Sequence, residues 1–365
     1  MTSNNSLGPS CKALPFAFGG PVCTAVLKRD PADFIVIEHL PFEADGEGPH
    51  WLLELEKTDL NTLDMLDAVS RSLKVSRKAI GYSGLKDRFA ITRQFVTLPA
   101  QGLAQEDLAA ASGEGWKVLG VRAHRRKLRV GSHRENGFEI TLQDVSGDVL
   151  TREALERRLT RIGLQGVPNY FGPQRFGHDG ANLRKAGQLF TQSRKLPRQQ
   201  HRFAVSAARS FVFNTVVARR VELGNWNQLV PGEAVNLHGS SSWFGYDRLK
   251  ETDQARFDAL DLHPSGPMWG LGELASADEV RRIELEAVAS FDVMTKGLEG
   301  LGLKQERRAL RLPVSKLEWS FNDASSLTLR FRLPKGGFAT SVLRELVTAD
   351  GLLLTNRGIE TNEGE

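Results

Sequence analysis

The texture of the chain changes twice along its length, and this constrains the fold more than any single motif does. Before about Gly166 the strand-like segments outnumber what a simple βαβ succession needs, an α+β pattern. At Gly166 it gives way to a Gly- and Pro-rich stretch with two aromatic clusters (GVPNYFGPQRFGHDG, residues 166–180), and β character returns near Leu312. Such an alternation is what one domain interrupted by another produces, and 365 residues leave room for both.

Individual elements follow from periodicity and breakers. Residues 23–40 read as strand, turn, strand around Asp30-Pro31-Ala32-Asp33, and residues 51–55 as another strand. Asn61 or Thr62 caps a helix with Leu63, Leu66, Val69 and Leu73 on its apolar face. Residues 76–99 begin as a short helix and end as a strand over residues 94–98; strands at 116–121 and 128–130 flank a basic run, and residues 138–142 alternate cleanly. A helix opens at Thr151, and a longer one over about residues 203–223 places Phe203, Ala207, Phe211, Asn214, Val217 and Val221 near one face. Ser276-Ala277-Asp278-Glu279 has capping-box spacing. Residues 319–321 and 327–333 form a hairpin, and residues 338–347 a terminal helix. Residues 1–22 are expected to be a flexible tail and residues 356–365 an acidic one.

Charge is informative through its distribution. Lys and Arg number 48 against 44 Asp and Glu, a net +4, too small an excess to prove a nucleic-acid partner. Residues 122–134 (RAHRRKLRVGSHR), however, hold six Lys/Arg, two His and no acid. Two readings of this run stand, a surface for an RNA backbone and a solvated strand pair. Two cysteines, no early apolar stretch after a basic start and only short apolar runs suit a cytoplasmic protein without disulfide framework, signal peptide or membrane span. There is no Walker A loop, His-Glu-x-x-His or Cys-x-x-Cys, and the eight His are scattered. Neither a metal site nor a nucleotide cofactor is expected.

The stretch that carries chemistry is Gly84-Leu85-Lys86-Asp87-Arg88-Phe89-Ala90-Ile91-Thr92-Arg93-Gln94. An Asp between two cations, on a glycine-bordered turn before a strand, is kept ionised and can serve as nucleophile or base. On chemistry alone a salt-bridged turn explains the same triplet.

This stretch resembles the Gly-x-Lys-Asp signature of TruD-type tRNA pseudouridine synthases, followed by that family's Ala-x-Thr-x-Gln. In family order there are also Pro31 to Glu38 (PADFIVIE), Lys57-Thr58, Asn61-Thr62, residues 124–131 (HRRKLRVG), Asn136-Gly137-Phe138, residues 166–177 (GVPNYFGPQRFG) and Gly337-Phe338-Ala339-Thr340-Ser341. The resemblance spans nearly the whole chain. Ser83 departs from it, standing where the family commonly has Ala.

The resemblance implies an α+β fold: a catalytic domain with a mixed, mainly antiparallel sheet (residues 23–165 plus 312–355), interrupted by an α/β TRUD insertion (residues 166–311). It implies isomerisation of uridine to pseudouridine in tRNA, at position 13 of the D-arm, by a monomer without cofactor. Asp87 becomes the catalytic carboxylate, and attack on C1′, addition to the base and abstraction of a 2′ proton all remain open to it. Lys86 would orient or charge-stabilise Asp87, while Phe34, Asn136, Phe138 and Phe338 would line the pocket for a flipped uridine. Core packing explains the three Phe equally well, and a turn explains Asn136. Arg122, Arg125, Arg126, Lys127, Arg129 and Arg134 are the candidates for RNA-backbone contact. Among other functions, an RNA-binding protein or tRNA chaperone without chemistry would use the same basic and aromatic residues; a methyltransferase lacks a nucleotide loop.

Overall fold

The computed structural model describes residues 14–146, 149–192 and 195–349. Its centre is a ten-stranded sheet. The seven long strands are β1 (Phe34–His39), β2 (His50–Thr58), β3 (Ile91–Pro99), β4 (Trp116–His124), β5 (Glu135–Gln143), β6 (Ser315–Phe321) and β7 (Leu327–Pro334). They lie in the order β6-β7-β5-β1-β3-β2-β4, and of these pairs only β1–β3 is parallel. The α+β fold with a mainly antiparallel sheet is thus observed.

Alternation puts one sheet face inside. In β1, Phe34, Val36 and Glu38 are buried while Ile35, Ile37 and His39 are half-exposed. Partners across adjacent strands share a face. One row therefore runs Lys57, Thr92, Val36, Phe138, Phe331 across β2, β3, β1, β5 and β7.

That face carries two separate apolar cores. Leu53, Leu55 and Val96 pack under helix α1 (Thr62–Ser72). Phe34, Val36, Ile140 and Leu329 belong to the larger core, which continues through α2 (Val149–Gln165) into the inserted helices. Between the two lies a seam of buried polar side chains: Glu38, Lys57, Thr92 and Gln94.

The chain leaves the sheet at Gln143, passes through α2 and rejoins the sheet at β6. Just past α2, Val167–Pro168 pairs antiparallel with Arg311–Leu312. Gly166 makes this close approach possible, since a Cβ there would meet the Leu312 carbonyl oxygen at 2.5 Å and its φ is +72°. Inside the segment, α4 (Arg198–Glu222) packs against α3 (Ala181–Gln192), α5 (Asp278–Val288) and α6 (Asp292–Gly300). Two sealed ion pairs, Arg220–Glu233 and Arg307–Glu284, brace it.

Several local expectations need correction. Residues 14–22 are packed, with Leu14 and Phe18 in the core and Arg344 donating to the Leu14 carbonyl; residues 1–13 and 356–365 of the expected tails lie outside the described residues. Residues 76–80 form turns, not a helix. Residues 128–130 form no strand, because the Leu128 N–H is taken by the Thr97 hydroxyl. The terminal helix is only Ala339–Leu343, after which Val347–Thr348 pairs in parallel with Cys23–Thr24. Helix α1 turns Thr62, Met65, Leu66 and Val69 inward and leaves Leu63 exposed. The Thr62 hydroxyl, which accepts from Lys86 N–H and donates to Gln94 Oε1, sets that rotation. Phe203 likewise faces outward on α4, and Asp278 starts α5 without a side-chain cap, since Ser276 bonds Glu284 instead.

Candidate active site

Asp87 sits in the loop that joins the short strand Gly81–Tyr82 to β3. Gly81 lets this strand pass close beneath residues 127–128: a Cβ would fall 2.4 Å from Thr97 Oγ1 and 2.6 Å from the Leu128 carbonyl oxygen. The loop is held from below by its own backbone. Lys57 Nζ donates to the Asp87 carbonyl oxygen at 2.6 Å, and Lys86 N–H to Thr62 Oγ1 at 2.9 Å. The Asp87 carboxylate is left 46% exposed above the polar seam.

Its charged partner is Lys28, whose Nζ lies 3.5 Å from Asp87 Oδ2 and 3.8 Å from the centre of the Phe34 ring. Phe34 meets Phe138 edge-on at 6.1 Å, and Phe138 stacks on Phe331 at 5.4 Å. One cation thus couples the carboxylate electrostatically to an aromatic wall. Lys28 holds a left-handed backbone, φ 57°, uncommon for a residue with a side chain.

Of the two roles expected of Lys86, direct pairing with the Asp87 carboxylate is not made among the described residues. Its ammonium turns inward, 2.7 Å from Glu38 Oε2 and 2.9 Å from Asn136 Oδ1. Glu38 also accepts from Phe95 N–H, so this buried pair ties β1 to β3 and β5. Lys86 acts on the loop's position, and the cation at the Asp87 carboxylate is Lys28.

Lys57 is 1% exposed, and burial pushes its ammonium down to about 8 against the pull of Asp87 and Asp59. His133, packed beside Gly84, is held below its usual value by burial and then by Lys86. Ser83 is buried and its hydroxyl has no partner among the described residues.

The structure therefore brings Asp87, Phe34 and Phe138 together, and Lys86 with Asn136. Phe338 belongs to an adjoining group, 6.0 Å from Phe171. The basic run is exposed at all six positions and flanks the Asp87 loop, Gly131 N–H donating to the Ser83 carbonyl oxygen at 2.6 Å. Arg125 pairs with Glu47, whereas Arg122, Arg126, Lys127, Arg129 and Arg134 have no carboxylate partner among the described residues. Lys28, Glu38, Lys57 and Gln94 were not singled out from sequence, although three of them stand inside the motifs quoted above. Among the described residues no group of three or more His, Cys, Asp or Glu side chains is placed to hold a metal, and no helix is long and apolar enough to cross a membrane.

Comparison with known proteins places the fold first. The crystal structure of a putative tRNA pseudouridine synthase D from Methanosarcina mazei superposes with a TM-score of 0.72, over 91% of this chain and 95% of that one, at 23% identity. At that identity the likeness speaks for the fold alone. Closer relatives named tRNA pseudouridine synthase D include those of Nitrosococcus oceani, 44% identical over 91% of this chain and 93% of its own, and Methylococcus capsulatus, 42% identical over 94% and 96%. The family profile tRNA pseudouridine synthase D (TruD) matches residues 13–194 and 181–346. The chain belongs to the tRNA pseudouridine synthase D family.

Proposed function

We propose that this chain isomerises uridine to pseudouridine in tRNA, at position 13 of the D-arm, with Asp87 as the catalytic carboxylate. The reaction breaks the bond from uracil N1 to C1′ and forms one from C5 to C1′, with a proton leaving C5 and one returning to N1. The observation that carries this reading is the Asp87 carboxylate held by Lys28 at the edge of the Phe34–Phe138 wall. A uridine reaches such a carboxylate only after leaving the RNA stack. Phe138, half-buried, offers an apolar face to the extruded base, where stacking contributes ~1–3 kcal/mol; Phe34, buried beneath Lys28, backs it, and Phe338 is assigned to the same pocket.

Roles for the remaining residues follow from position. Asn136, its Oδ1 engaged by Lys86, has its amide N–H groups to offer the nucleotide. Arg122, Arg126, Lys127, Arg129 and Arg134, with Arg125 after exchange from Glu47, supply sequence-independent attraction for phosphates. No cofactor is required. We assign the catalytic domain to residues 23–165 plus 312–355 and the TRUD insertion to residues 166–311. That division is supported by the large sheet, whose strands all come from before residue 144 or after 314. Activity as a cytoplasmic monomer completes the reading.

The test is pseudouridine mapping on a tRNA transcript after incubation with the purified chain. Conversion confined to position 13 is expected; conversion at another uridine would refute the position, and none at all would refute the activity.

A further inference from the structure

Next to the end of the basic run, across Lys335 and Gly336, lies a second cationic group that the proposed chemistry does not use. Arg175 stands in the turn Pro173–Phe176 and Arg308 in the short strand Glu306–Ala309. Both lie against one aromatic ring: their Cζ atoms are 5.0 Å and 4.3 Å from the centre of Phe171, which in turn meets Phe338. Arg175 Cζ is also 6.0 Å from the Phe338 ring.

Neither arginine has a carboxylate partner among the described residues. Arg175 donates to Ser206 Oγ at 3.1 Å, and Arg308 to Asn169 Oδ1 at 2.8 Å and to the Gly336 carbonyl oxygen at 2.9 Å. These contacts fix the guanidinium planes and leave the charge uncompensated. Arg308 Nε is buried without a partner, and so is Thr340 Oγ1, which lies against Gly172 beside Phe171. Two other buried arginines of the inserted segment do have a carboxylate, Arg220 that of Glu233 and Arg307 that of Glu284, while Arg311 is held by His263 and backbone carbonyls. Two partly buried cations held close without a counterion repel each other. Burial and then the charge of Arg175 push the Arg308 guanidinium down to about 10, which still leaves it charged at neutral pH.

We propose that Arg175 and Arg308 form a binding site for a phosphodiester of the RNA backbone, at the rim marked by Phe171 and Phe338. An anion between the two forks removes the repulsion and takes the donors that are now idle, and planar guanidinium groups match phosphate oxygens in geometry. The aromatic rim beside them suits a phosphate whose base stacks alongside. The inference rests on the RNA-modifying reading above and extends the phosphate-binding surface past residues 131–134, to which Lys335 and Gly336 link Arg308.

Full-length wild type, Arg175→Gln, Arg308→Gln and Arg308→Lys are titrated with a tRNA transcript at salt from about 50 to 200 mM. Each Gln variant should bind about threefold or more weakly and lower the slope of log K against log[salt] by roughly one phosphate-equivalent. Arg308→Lys, which keeps the charge, should keep most of the slope. Thermal melting is followed in parallel; if Arg308→Gln fails to fold, Arg175→Gln decides alone. Slopes matching wild type in the folded Gln variants overturn the site. The enzymatic reading fails separately, in the pseudouridine mapping of the wild-type chain, which does not depend on these slopes.

Discussion

Lys86 and Glu38 form a 2.7 Å ion pair that is almost sealed from solvent, their side chains 5% and 0% exposed, directly behind the residue proposed to do the chemistry. Lys86 and Asp87 are neighbours in the chain, yet one side chain points into the sheet and the other out of it. The inward one ties the loop to β1 through Glu38 and to β5 through Asn136, Glu38 in turn accepting from Phe95 N–H on β3, while the Lys86 backbone N–H is held by the Thr62 hydroxyl of α1.

Removing one partner of such a pair leaves the other charge buried alone, typically at about 3–5 kcal/mol. Glu38→Gln should therefore lower the unfolding free energy in urea by roughly this amount and depress turnover. The double variant Glu38→Gln/Lys86→Met should recover much of the stability without the activity. A double variant as active as wild type would show that the pair does not position Asp87.

Lys57 gives the opposite signature. Its charge is buried, and its ammonium engages the Asp87 backbone carbonyl. Replacing it by Met keeps the volume and removes a desolvated cation, which costs little stability or adds some. Lys57→Met should melt at or above the wild-type temperature while turnover falls at least about tenfold, an energy near 1.4 kcal/mol in the barrier. Unchanged turnover would remove the Lys57 tether from the mechanism.

Acid should weaken the inserted segment through His263. This imidazole is 1% exposed; its Nδ1 accepts from Arg311 Nε at 3.2 Å and its Nε2 lies 3.1 Å from His238 Nδ1. Burial, then Arg311, then His238 push it down to about 3, against 6.5 in the unfolded chain. Between those values the unfolded state binds the extra proton. Stability contributed here is whole above pH 6.5 and declines toward pH 3, by up to about 1.4 kcal/mol per pH unit. Urea unfolding at pH 7, 6 and 5 should show this slope, and His263→Gln should flatten it; equal slopes would place the acid sensitivity elsewhere.

Much of the fold was legible because it rests on local pattern. The alternation of Phe34, Val36 and Glu38 marks β1, and the shift of texture at Gly166 falls where the chain, past α2, meets Arg311–Leu312. Asp87 stood out through its motif, and Phe34 and Phe138 do come near it by way of Lys28. What sequence hid depends on distant partners. Lys28 is 59 residues from Asp87, so neither its pairing nor the inward turn of Lys86 can be read from the Lys-Asp-Arg triplet. Residues 128–130 have strand-like composition but yield their N–H to the Thr97 side chain. The terminal helix stops early because Glu345 is drawn inward to accept from Ala17 and Phe18 N–H, and Val347 must meet Cys23.

The most direct measurement is single-turnover pseudouridine formation on a tRNA transcript by wild type and Asp87→Asn, with tRNA affinity measured alongside. Asn is nearly isosteric and the side chain is half-exposed, so folding and binding should persist. Conversion should fall to background while tRNA is still bound. Conversion at a wild-type rate by the folded Asn variant would contradict the assignment of the chemistry to Asp87.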